Sequence, residues 1–90
     1  MESETRTTCL NRLRRAEGQI RGVAKMIEEE RYCIEVITQL QAVKAALLRI
    51  EDAILKDHVS HCVAHAMKSG NTKEQAKKID ELMAVMTRAR

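Results

Sequence analysis

The chain has 90 residues, 16 Lys and Arg against 13 Asp and Glu for a formal net charge of +3, and no Phe or Trp. Tyr32 is the one aromatic residue and eleven alanines swell the apolar count, so the core available to a chain of this length is thin and a partner is expected to complete it. Three cysteines, an odd number, exclude a fully paired disulfide framework; with no secretory signal pattern and no apolar run long enough to span a bilayer, a cytoplasmic thiol protein is expected, without membrane contact.

In chain order, Leu10, Leu13, Ile20, Val23, Ala24 and Ile27 recur at helical spacing and predict a first helix over about 5–29, ending in the acidic run Glu28, Glu29, Glu30. A second helix is predicted over about 32–68. Val36, Leu40, Val43, Leu47, Ile50 and Ile54 keep one apolar stripe through it, and neither Gly nor Pro interrupts Cys33 to Met67. Ser69, Gly70 and Asn71 supply the stop, Gly70 being suited to a left-handed cap. Thr72 with Gln75 has the form of a capping box, and Ile79, Leu82, Met83 and Met86 make a third amphipathic helix over about 72–88. Nothing reads as a strand, repeat or linker. The expected fold is therefore all-α, three helices around a long central one, in a single domain over 1–90.

Cys33 opens the long helix, and His58 and Cys62 lie near its far end, in phase with its stripe. The rise from Cys33 to His58 is roughly 38 Å at about 1.5 Å per residue, whereas ligands of one metal lie within about 4 Å of each other. One straight helix cannot gather the three. Two copies packed antiparallel can, giving two equivalent Cys/His/Cys sites under twofold symmetry. Two thiolates and one imidazole form a soft set that favours Cu(I); Zn(II) usually takes four ligands and Ni(II) prefers other geometries.

Charge is uneven: residues 1–27 carry six basic and three acidic side chains, and residues 28–71 carry five and seven. Arg12, Arg14, Arg15 and Arg21 crowd the first helix and Lys44 and Arg49 sit midway along the second. Repeated in an oligomer, such faces could neutralise many phosphates, although a charge run is more often a solvated face. No helix-turn-helix, zinc finger or basic zipper is present, and no Gly-rich phosphate loop or nucleophile–base pair suggests an enzyme.

The run Leu10-Asn-Arg-Leu-Arg-Arg-Ala-Glu-Gly-Gln19, then Tyr32-Cys33, Gln39-Leu-Gln-Ala-Val43 and His58-Val-Ser-His-Cys62, resembles the copper-sensing repressor family CsoR/RcnR over roughly Leu10 to Met83. The resemblance implies an antiparallel dimer assembling into a tetramer (a dimer of dimers), repression of metal-efflux or detoxification genes, and release of operator double-stranded DNA when the ligand binds. It implies Cys33, His58 and Cys62 as metal ligands, the combination associated with Cu(I) sensors. Nickel- or cobalt-responding relatives typically add an N-terminal histidine, and none precedes His58. It also implies that Tyr32 and Glu81 orient His58 through the ring nitrogen not used for metal, and that Arg12 and Arg49, then Arg15 and Lys44, contact DNA. Glu17 departs from the pattern, since members often carry a basic residue there.

His61 and His65 are expected as exposed, pH-sensitive surface histidines. His65, seven residues after His58, falls on nearly the same face in a continuous helix, so a fourth ligand and a Zn(II) or Ni(II) response is the lesser possibility. Cys9 is expected as a free thiol or packing residue. The reading is a Cu(I)-responsive repressor. A persulfide or thiol-reactive sensor on the same fold is an alternative, which His58 does not favour. A metal-buffering protein without a DNA role is another, which the lack of a C-x-x-C loop does not favour.

Overall fold

The computed structural model describes residues 1–89, and every regular element among them is helical. Internal packing groups them into two compact units, one over Met1–Leu55 and a second beginning at Lys56.

In the first unit, helix α1 runs Ser3–Glu28 and helix α2 starts at Cys33. Cys9, Ala16 and Val23 are buried on α1 and Val43 and Ile50 on α2, each set at intervals of seven. Seven residues are close to two helical turns, so each set marks one line along its helix. Arg12, Arg15, Ala16 and Gln19 of α1 line one groove with Ala46 and Arg49 of α2, which is the register of an antiparallel pair closed by a short connection. The buried residues are small, so the core is as thin as the composition indicated.

Not every residue of the predicted stripes is covered. Leu13, Ile20 and Ile27 retain 42%, 50% and 60% exposure, and Leu10, Leu40 and Leu47 are likewise exposed. Periodicity locates an apolar face but not which edge of it the chain's own helices cover. Each stripe has one edge inside the unit and one left open, as expected of a protomer whose burial is completed by another copy.

The connection is built locally. Arg31 N–H donates to the Met26 carbonyl and Glu30 N–H to the Ile27 carbonyl, both at 3.0 Å, and Glu30 has φ 55°. This is the Schellman arrangement that satisfies the last carbonyls of a helix. Placing a glutamate in the left-handed region costs about 1 kcal/mol relative to glycine. Tyr32 then accepts the Val36 N–H at 3.2 Å, and the Arg31 guanidinium lies 2.8 Å from Glu35 across the first turn of α2.

The span expected as one helix over 32–68 is helical from Cys33 to Lys68 but changes register. α2 ends at His58, a π-helical turn occupies Val59–Val63, and α3 covers Ala64–Lys68. A π turn holds one extra residue, which offsets everything after it by about 100° from an uninterrupted α-helix. His65 therefore does not share the face of His58, correcting the expectation from a seven-residue spacing.

Gly70 takes φ 74° after α3, as its position predicted, and helix α4 runs Thr72–Ala89. Its cap is Asn71 rather than Thr72: Asn71 Oδ1 accepts the Glu74 N–H at 3.1 Å. Gln75, expected to complete the box with Thr72, instead donates its side-chain amide to the Met67 carbonyl at 3.2 Å, tying α4 back to α3. An Asn side chain places its oxygen over the first turn as well as Thr does, so sequence alone left the two one residue apart. Within this unit α4 packs on both α3 and the π turn.

Three substitutions test these ends. Glu30→Gly should raise stability by about 0.5–1 kcal/mol by relieving the left-handed residue, and Asn71→Ala should lower it by about 1 kcal/mol while Thr72→Ala changes it much less. Thermal melts of the variants beside the wild type at one fixed protein concentration decide these outcomes.

Candidate functional site

Cys33 is the first residue of α2 and its thiol is exposed; His58 is the last residue and is half-buried. At about 1.5 Å per residue α2 is about 39 Å long, so its two ends cannot serve one ion together. Cys33 belongs to the first compact unit, and His58 and Cys62 to the second. Cys62 lies inside the π turn with its thiol exposed, four residues beyond His58, a spacing at which side chains on successive turns are neighbours. Cys9, by contrast, is buried at 3% exposure in the α1 core line and acts as a small packing residue.

Cys62 opens onto a pocket of about 650 Å³ that it lines with His61 and His65, facing Asn71, Glu74 and Lys78. Both histidines are exposed, as the sequence suggested, but their shared pocket with Cys62 was not foreseen. His61 is turned toward a carboxylate: its Nε2 lies 3.5 Å from Oδ1 of the buried Asp57. Glu81, on α4, lies 3.9 Å from Lys78 Nζ, which is also 3.6 Å from Glu74. Tyr32 is exposed immediately before Cys33, in the first unit. Glu81 lies on α4, which packs against the π turn holding Cys62.

A second feature lies in the first unit. Arg12, Arg15 and Gln19 of α1 and Arg49 of α2 surround a groove of about 300 Å³ floored by Ala16 and Ala46. The alanines leave the space; longer side chains there would fill it. No carboxylate lines the groove, and among the described residues Arg12, Arg15 and Arg49 have no hydrogen-bond or ion-pair partner. Other arginines are tied down: Arg14 bonds Asn11 at 3.4 Å, Arg21 lies 3.6 Å from Glu17, and Arg31 lies 2.8 Å from Glu35. Arg12, Arg15 and Arg49 thus converge, without a counter-ion, on one concave surface. Lys44 stands outside it, about 140° round α2 from Arg49 at 3.6 residues per turn. Gln19 was not among the anticipated residues; its position four after Arg15 and seven after Arg12, on one face of α1, is the signal that could have found it.

Residues 5–88 match the family described as metal-sensitive transcriptional repressor. The chain is 46% identical over 83 residues to the copper-sensing transcriptional repressor CsoR of Bacillus subtilis (strain 168), covering 92% of this chain and 79% of that protein. It is 54% identical over 59 residues to the copper-sensing repressor RicR of Mycobacterium tuberculosis (strain ATCC 25618 / H37Rv), covering 66% of this chain and 62% of that one. The fold is similar to the crystal structure of CsoR with Cu(I) from Geobacillus thermodenitrificans NG80-2, with a TM-score of 0.88 at 39% identity, covering 98% of this chain and 88% of that one. It is also similar to the nickel-responsive transcriptional regulator InrS, with a TM-score of 0.77 at 40% identity over 87% of this chain and 88% of that one. With nearly all of its length matched to the family and its helices superimposing on two solved relatives, the chain belongs to the metal-sensitive transcriptional repressors.

Proposed function

We propose that this repressor senses Cu(I) in the cytoplasm, as an oligomer whose ligand sites are shared between antiparallel protomers. Cys33 of one protomer would hold the ion with His58 and Cys62 of another, and the whole chain would act as one metal-sensing, DNA-binding domain. The observation that carries the reading is an exposed thiol at the first residue of α2, an imidazole at its last and a second exposed thiol in the π turn that follows, beside an apolar edge left open among the described residues. The donor set fits the ion: two thiolates and an imidazole are soft, and neither thiol is committed to a disulfide. The curated relatives named for copper sensing support the choice of metal.

DNA binding, on this reading, uses the groove of Arg12, Arg15 and Arg49. Three guanidiniums without a protein counter-ion face outward there, and phosphate oxygens are the complementary partners. Lys44 lies outside the groove and contributes less. The ligand would bias the placement of one protomer's arginines relative to another's, and reciprocity then follows: whatever factor Cu(I) applies against operator affinity, operator DNA applies against Cu(I) affinity. Glu81 and Tyr32 would hold the His58 ring in place, with Glu81 relaying its state to α4.

A Ni(II) or Zn(II) response has one observation in its favour, the pocket in which His61 and His65 border Cys62, and InrS is a nickel-responsive relative by fold. X-ray absorption on the loaded protein separates the readings: a three-coordinate, sulfur-rich site supports Cu(I), and a four-coordinate or larger site with more nitrogen favours the others.

Two sets of variants test the proposal. Cys33→Ala and Cys62→Ala should each leave operator affinity of the apo-protein within about twofold and remove its dependence on Cu(I), measured by fluorescence anisotropy. Retained copper release in either variant contradicts the ligand set. Arg49→Ala should weaken apo-protein binding and reduce the slope of log K against log salt by about 0.9 for each phosphate no longer neutralised, with Lys44→Ala changing the slope less.

A further inference from the structure

We infer that Gln19 is a sequence-reading residue of this repressor, donating to and accepting from the edge of a base, while the arginines around it hold phosphates. The inference rests on the DNA-binding reading of the groove and goes beyond it, since phosphate contacts alone carry no sequence information.

Gln19 is the one neutral polar side chain among those lining the groove; the others are Arg12, Arg15 and Arg49 over Ala16 and Ala46. It is exposed and shares one face of α1 with Arg12 and Arg15, at steps of three and four residues. From Arg12 to Gln19 that face advances roughly 10 Å along the helix axis. Gln19 ends that face, one turn beyond Arg15, so with the arginines held on phosphates its amide is the side chain left to reach a base edge.

The chemistry of the amide gives the stronger reason. A carboxamide presents a donor and an acceptor side by side. Phosphate oxygens and arginines divide the work of an ionic contact between them, and the phosphates supply no donor. Once water is displaced from the groove and the guanidinium N–H groups are taken by phosphates, the Gln19 carbonyl oxygen draws its donor from the nucleic acid, and leaving it without one carries a desolvation cost. The edge of adenine in the major groove offers a donor at N6 beside an acceptor at N7, the complement of the amide. An arginine at this position would bind guanine or phosphate instead; glutamine makes the contact selective and adds no charge.

The experiment is selection of binding duplexes from a random-sequence pool by the full-length wild type, Gln19→Ala, Gln19→Glu and Arg12→Ala, followed by titration of the wild-type selected duplex and of a scrambled duplex at several salt concentrations. Alanine is a better helix former than glutamine, so the exposed site tolerates the change. Gln19→Ala is expected to lose an adenine present in the wild-type consensus and to bind the selected duplex about tenfold more weakly relative to the scrambled one, with an unchanged salt slope. Gln19→Glu is expected to move that position from adenine toward cytosine, whose N4 is a donor. An unchanged consensus for Gln19→Ala, or an equal fall in affinity on both duplexes, overturns the inference and makes Gln19 at most a backbone contact. Arg12→Ala checks the underlying reading separately: it should weaken both duplexes alike with a shallower slope, and no change in either removes the groove from the DNA interface and Gln19 with it.

Discussion

An α-helix is a rigid spacer, and the arrangement of this protein follows from that. α2 carries a thiol at its first residue and an imidazole at its last, and no rotamer choice spans the roughly 39 Å between helix ends. On the proposed reading, a site that uses both ends is assembled from more than one copy. The sensing event and the oligomeric interface are then one and the same, so an ion binding at either end of the interface acts directly on how the protomers are placed.

The packing is consistent with such a division of labour. Small residues, Cys9, Ala16 and Val23 against Val43 and Ile50, form the core line of the first unit, and larger apolar residues such as Ile20, Ile27 and Leu40 remain exposed. A chain without Phe or Trp has little apolar volume, and here the bulkier part of it is not used within the protomer. The exposed edge runs along the same helices that bear Cys33, Arg12 and Arg49. Contacts that complete the fold and contacts that position the arginines thus belong to the same elements, which is the physical basis on which a ligand could alter DNA binding.

Much of this was legible from residues alone, and the reasons differ. Helical spans followed from period and from the absence of breakers between Cys33 and Met67, and Gly70 marked its left-handed turn because few other residues take that conformation without cost. The Cys33, His58 and Cys62 set stays a proposal, drawn from the sequence because ligand chemistry restricts residue type. The π turn at Val59–Val63 was not visible: π and α registers differ by one hydrogen-bond step, and no local residue type announces the change. It matters, since it rotates His65 away from His58 and sets Cys62 on the wall of a pocket with His61 and His65. The grouping of Arg12, Arg15 and Arg49 apart from Lys44 likewise depends on the register between two helices, which composition and charge counts do not contain. Glu30 and Asn71 show a finer limit, because an acidic run or a Thr–Gln pair indicates a helix end without settling which residue closes it.

The most direct measurement is subunit complementation of the copper site. Cys33→Ala and Cys62→Ala chains, each inactive toward Cu(I) alone, are coexpressed and mixed at random, and stoichiometric Cu(I) capacity is determined with a competing chelator. A site shared between antiparallel protomers predicts about a quarter of the wild-type capacity, because half the dimers are mixed and one of their two sites is intact. A site built within one chain predicts no recovery, and that result would contradict the shared junction on which the regulatory reading depends.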